Sequence, residues 1–171
     1  MKKAIAVLLL LAVVSFGVYA QGKTNMDKGD FAASIGLNFG WGFGVGGGIE
    51  MILARWDIAD TIPITFGVAG KAGLSLTPWF ETTIAALGTA HFGLATFTEL
   101  PEWARKFDWY TALGLGLGIG GGTGLGIGIA TGGGVSYHFN SRVAIIAESI
   151  WAAHFNRYSY GFSTIGVQFK L

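Results

Sequence analysis

From Phe31 onward, large apolar residues fall at every second position, and glycine, small or polar residues fill the positions between. Ile35, Leu37 and Phe39 alternate with Ser34, Gly36 and Asn38. Ile62, Ile64, Phe66 and Val68 alternate with Pro63, Thr65, Gly67 and Ala69. Leu113, Leu115, Leu117 and Ile119 alternate with Gly114, Gly116, Gly118 and Gly120. Successive side chains leave a strand on opposite faces, so a period of two is strand geometry, whereas a helix repeats every 3.6 residues. The pattern recurs in eight runs, at 31–43, 46–55, 62–76, 82–97, 108–119, 125–138, 142–154 and 158–170. Turn residues separate them. The fourth run is the least regular.

The strands are long for a soluble sheet, and composition indicates what surrounds them. The chain is 51% hydrophobic and only 12% charged, about half the usual charged share. After residue 20 no apolar stretch approaches the ~20 residues of a spanning helix. The start of the chain reads as an export signal. Met1-Lys2-Lys3 is basic, Ala4 to Val18 is apolar and small, and Val18-Tyr19-Ala20 offers a small-x-small cleavage site. Residues 1–20 are expected to be removed in export, leaving 21–171 as one domain. Two architectures suit such a chain: an outer-membrane barrel, or a soluble all-β protein with an unusually apolar surface. An even number of antiparallel strands, each long enough to cross a tilted bilayer, favours the barrel. Eight strands is also the size at which side chains nearly fill the interior.

Charge indicates which face is inside. Glu50, Lys71 and Glu148 lie within runs, in the register opposite the large apolar side chains. A lysine on the lipid face at mid-depth costs about 2–4 kcal/mol, so this register is expected to line the lumen. His91, Tyr110, His138 and Gln168 are expected to join the three charges there. The apolar register then meets lipid. All six tryptophans, Trp41, Trp56, Trp79, Trp103, Trp109 and Trp151, lie at or near run ends. Indoles gather at membrane–water interfaces, where an apolar ring and a polar N–H are both satisfied. Two girdles are expected, one of Trp41, Trp79 and Trp151, the other of Trp56, Trp103 and Trp109 with Tyr137 and Phe139.

The chain ends on Ile165, Val167, Phe169 and Leu171 at alternate positions. This resembles the C-terminal assembly signal of bacterial outer-membrane barrels, except that Leu171 stands where that signal usually has Phe. Together these features resemble the small eight-stranded outer-membrane barrels, the superfamily of OmpX, OmpW and the OmpA membrane domain. The resemblance covers nearly all of residues 21–171. It implies an all-β, eight-stranded antiparallel up-and-down transmembrane barrel in the bacterial outer membrane. Its expected partners are outer-membrane lipid and the barrel-assembly machinery. The resemblance is architectural and transfers no functional residue.

The sequence gives little sign of chemistry. Gly116-Leu117-Gly118-Ile119-Gly120-Gly121 matches G-x-G-x-x-G, but a nucleotide loop needs a following helix and an acidic residue about 20 positions on. Here the glycines continue at alternate positions. Nine basic residues remain against ten acidic ones once Lys2 and Lys3 are removed from the eleven, which gives no electrostatic case for nucleic acid. There is no cysteine, and His91, His138 and His154 have no metal-motif spacing. No catalytic residue, metal or cofactor is assigned. The expectation is a non-enzymatic barrel with a structural role or passive permeation of small or apolar solutes. The alternatives are an adhesin-like surface barrel, or a lipid-modifying enzyme using His154 with Ser159 or Ser163. With a periplasmic C-terminus the outer loops are all short, and the longest connection, Thr98 to Phe107, is periplasmic. That inverts the usual pattern.

Overall fold

The alternating runs form eight antiparallel strands in a computed structural model, which describes residues 24–40, 42–58, 62–77, 80–120, 124–155 and 159–171. They are β1 (Phe31–Gly40), β2 (Phe43–Ile58), β3 (Ile62–Thr77), β4 (Glu81–Gly93), β5 (Phe107–Gly120), β6 (Gly124–His138), β7 (Val143–His154) and β8 (Ser159–Lys170). Each pairs with its sequence neighbour, and β8 returns to β1, closing the barrel. Closure gives every strand a hydrogen-bonded neighbour on both sides. Residues 1–20 lie outside the described residues, and so do Trp41 and Trp79.

Two run ends differ from the alternation. Phe43 belongs to β2, where it pairs with Thr77, rather than to β1. The fourth run stops at Gly93, not at residue 97, because Leu94–Thr96 forms a 3-10 turn. Thr96 and Phe97 are buried there, and the Phe97 ring meets Phe92 edge-on at 5.9 Å. Apolar residues in this stretch pack beneath the barrel instead of continuing its wall, so alternation alone overran the strand.

The two faces are sharply different. Ile35, Leu113, Leu115 and Ile165 are 65%, 65%, 62% and 57% exposed, while Ala32, Glu50, Lys71, Ala130 and Ile150 are at most 2% exposed. The large apolar register is therefore outside and the small or polar register inside. The start of β1 and the end of β8 lie at one rim, here the terminal rim, with the connections β2–β3, β4–β5 and β6–β7. The other four hairpins form the distal rim. β2 and β3 each have 16 residues, well beyond the ~9–11 that a tilted strand needs to cross a bilayer. Their extra length lies at the terminal rim, because Phe31 at the start of β1 pairs with Met51 and the rest of β2, to Ile58, runs on past it.

The glycine-rich hairpin joins β5 to β6, with Gly116 opposite Gly128 and Gly120 opposite Gly124. Gly120 and Gly124 have φ of 133° and 82°, which suits the turn to glycine. Residues 116–120 are ladder strand, so the G-x-G-x-x-G match is not a loop before a helix. A Cβ on Gly114 would lie 2.0 Å from the Ala86 carbonyl oxygen. At Gly114 glycine lets adjacent backbones approach in a tightly curved wall.

Candidate functional site

The inward row at mid-barrel runs across six strands. Ladder partners place His91 beside Tyr110, Tyr110 beside Gly134, Gly134 beside Glu148, Glu148 beside Thr164, and Thr164 beside Asn38. Gly134 is the gap in this row. A Cβ there would lie 2.8 Å from Tyr110 Cε1 and 2.9 Å from Glu148 Cβ. Without it, Tyr110 lies over β6 and donates its hydroxyl hydrogen bond to Glu148 Oε2.

Lys71 reaches the same oxygen from across the barrel. Its Nζ donates to Glu148 Oε2 at 2.8 Å, and both side chains are at most 1% exposed. β3 and β7 are four strands apart in a ring of eight, so this ion pair spans the lumen from wall to opposite wall. Gly48 makes room for the lysine stem, since a Cβ there would lie 2.6 Å from Lys71 Cδ. The ammonium also sits 5.6 Å from the Tyr110 ring centroid.

A second group lies beside the first. His91 Nε2 is 2.8 Å from Glu50 Oε1, and His91 Nδ1 is 2.7 Å from Asp108 Oδ2. Thr89 Oγ1 donates to Glu50 Oε1 at 2.6 Å. A neutral imidazole has one N–H to donate. Two bonds to two carboxylates therefore require one additional proton within the trio. The His91 ring stacks on Tyr110 at 5.1 Å, which joins the two groups into one layer.

All seven residues expected in the lumen are inside and at most 7% exposed: Glu50, Lys71, His91, Tyr110, His138, Glu148 and Gln168. Lys71 pairs with Glu148 rather than Glu50. His138 lies apart from the central layer, with its Nε2 3.0 Å from Ser136 Oγ. Asp108, which faces Ser136 across the ladder, is committed to His91. Sequence reasoning missed Asp108. The signal was available, because Asp108 shares an inward register with Tyr110, Ala112 and Gly114.

The distal half of the lumen holds large apolar groups beside polar ones, among them Asn38, which donates to Ser75 Oγ at 3.2 Å. Ile150, Tyr160 and Phe162 are at most 5% exposed. Phe162 lies over Gly73, where a Cβ would come 2.3 Å from the ring, and Tyr160 donates to the Gly120 carbonyl at 3.0 Å. Among the described residues no cluster of three or more His, Asp or Glu is arranged to hold a metal. Ser163 faces outward and donates to Ser149 Oγ at 3.0 Å.

On the outer face Trp56, Trp103 and Trp109 stand at the terminal end, 62%, 62% and 44% exposed. Phe107 contacts Trp103, Trp109 and Tyr137, and Tyr137 contacts Phe139, with ring centroids 5.0–6.4 Å apart. Trp151 is on the outer face toward the distal rim, 48% exposed. Ile165, Phe169 and Leu171 also face outward, 57%, 43% and 82% exposed, with Val167 between them half-buried.

Comparison with solved structures gives the class. The N-terminal β-barrel domain of Pseudomonas aeruginosa OprF aligns with a TM-score of 0.61 at 14% identity, covering 84% of this chain and 98% of that one. Ail, the attachment invasion locus protein of Yersinia pestis, aligns at 0.52 and 13% identity, covering 85% and 100%. A de novo designed transmembrane β-barrel aligns at 0.50 and 12%, covering 85% and 98%. The fold is that of the small eight-stranded outer-membrane β-barrels. No protein-family model and no curated protein matches the sequence.

Proposed function

We propose that the chain is an integral protein of the bacterial outer membrane, non-enzymatic and structural in role, with its lumen closed. The outward apolar register and the outer-membrane barrel fold support the location, with the terminal rim in the periplasm. The closed lumen rests on one observation above others, the Lys71–Glu148 ion pair stretched from β3 to β7. With the Glu50–His91–Asp108 trio and Tyr110 beside it, little width remains for a solute. Permeation through the barrel centre is accordingly the weaker half of the expectation. Export cleavage after Ala20 and recognition of Ile165, Val167, Phe169 and Leu171 by the assembly machinery belong to the same reading.

Short distal hairpins argue against an adhesin. The test is planar-bilayer conductance of the refolded protein. The closed reading expects background current at moderate voltage. A stable open-channel current from the unmodified chain overturns it.

A further inference from the structure

The alternation that builds the barrel begins at Phe31, and nothing in it asks for order earlier. Residues 24–30 are nevertheless folded beneath the terminal mouth. Asn25 Nδ2 donates to the carbonyls of Arg105 and Phe107 at 3.2 and 3.0 Å, and the Asn25 carbonyl accepts from Lys170 Nζ at 3.1 Å. Met26 is 1% exposed and packs with Ala32 and Ile52. Its carbonyl accepts from Thr65 Oγ1 at 3.0 Å. Asp27 pairs with Arg55 at 3.1 Å. These partners sit on β2, on β3, on β8 and at the entry to β5, so the segment crosses the mouth rather than extending the wall.

Met26 covers the polar layer. Thr65, which holds its carbonyl, is the ladder partner of His91, and Ala32 beneath it is the ladder partner of Glu50. The contacts of Asn25 and Met26 use side chains, not the strand ladder, and β1 closes on β8 independently of them. Gly29 turns the chain back toward the mouth with a φ of 93°, and nothing lies within 4 Å of where its Cβ would be. Gly29 itself is fixed to the wall, its N–H donating to the Ile52 carbonyl at 2.9 Å, so residues 24–28 before it, held by isolated hydrogen bonds, one ion pair and the Met26 contacts, open at lower free energy than the barrel itself.

We propose that residues 24–28 form a removable strap over the terminal mouth, pivoting at Gly29, with Met26 as the stopper that keeps water from the Glu50–His91–Asp108 trio. The strap adds a second closure to the closed-lumen reading and is tested separately from it. The chain has no cysteine, so a single introduced thiol is an unambiguous probe. Ala32→Cys and Ile52→Cys are prepared separately in the full chain, in nanodiscs that leave both rims open. Each is exposed to a small charged methanethiosulfonate reagent, with Lys28→Cys as the exposed control. The strap expects labelling of either buried thiol to be at least about tenfold slower than the control, and to recover about tenfold on adding Met26→Gly. A buried thiol that labels as fast as the control overturns the proposal. So does a slow thiol that Met26→Gly leaves slow.

A second measurement does not depend on tolerance at Ala32 or Ile52. A Cβ on Gly93 would lie 3.4 Å from the Asn25 backbone nitrogen. The Asn25→Cys/Gly93→Cys pair should therefore cross-link on mild oxidation, and failure to do so counts against the strap. Conductance separates the two readings. Faster labelling with background current in Met26→Gly supports both. Faster labelling with a new open-channel current supports the strap and removes the claim that the mid-barrel layer is closed.

Discussion

Lys71 and Glu148, 77 residues apart in sequence, meet at 2.8 Å across the full width of the lumen, where neither is more than 1% exposed. An ion pair so placed is a strut between opposite walls. Its formation adds little net stability, because both charges leave water, but removing one partner leaves the other buried and uncompensated. Lys71→Met alone is expected to cost about 3–5 kcal/mol. The double variant Lys71→Met/Glu148→Leu should regain most of that loss. The urea midpoint of the heat-modifiable gel shift in lipid checks both. Equal midpoints for the single and double variants would show that the pair is not energetically coupled.

His91 carries two carboxylates at once, which predicts non-additivity. His91→Phe keeps a ring over Tyr110 but strips donors from Glu50 and Asp108. A loss of about 3–5 kcal/mol is expected, in the range for a broken buried ion pair. Adding Glu50→Gln and Asp108→Asn removes the stranded charges and should recover at least a third of that loss. Denaturant midpoints of the single and triple variants measure the difference. If the triple variant is the sum of its parts, the trio is not a unit.

Most of this fold was legible from the period of two, because the bilayer and the filled lumen each impose a side on every strand residue. Lys71 is the clearest case, since a buried lysine in an apolar strand has only the lumen to face. Its choice of Glu148 over Glu50 was not legible. That choice depends on barrel closure placing β3 opposite β7 and on Gly48 and Gly134 clearing the path, both long-range facts. The strap was hidden for a different reason. Asn25 and Met26 meet distant elements through single side-chain and carbonyl contacts, and no local pattern in residues 24–30 announces that. The end of β4 was misread because Thr96 and Phe97 are buried by packing beneath the barrel, which alternation cannot distinguish from strand.

Two kinds of strand glycine carry opposite predictions. Gly70 and Gly88 face outward into open space, where a Cβ would find only Ile49 Cγ1 at 3.9 Å or the Leu113 carbonyl at 3.7 Å. Gly70→Ala and Gly88→Ala should each stabilise the barrel by about 0.5–1 kcal/mol, through reduced freedom of the unfolded chain. Gly73 faces inward, and a Cβ there would come 2.3 Å from the Phe162 ring. Gly73→Ala should cost about 1–3 kcal/mol by overpacking. Gly73→Ala/Phe162→Leu should recover part of it, because leucine is smaller. Unfolding midpoints in one lipid rank the four variants, and a stabilising Gly73→Ala would mean that the distal lumen has room to spare.

The outer face separates a membrane barrel from a soluble β protein with an apolar surface. Leu115 is 62% exposed near the middle of β5, and Phe155 is 75% exposed at the distal rim. In a bilayer, Leu115→Lys should destabilise by about 2–4 kcal/mol and Phe155→Lys by only about 0–1 kcal/mol, because the cost of a charge falls with distance from the midplane. In water both changes would be close to neutral, since each side chain is already solvent-exposed and touches little. The measurement is the urea midpoint in phospholipid vesicles. A gap of at least about 1 kcal/mol between the two variants is the depth signature of a spanning strand. Equal, near-zero effects, together with a chain that stays dispersed without detergent, would place the apolar register in water and end the membrane reading.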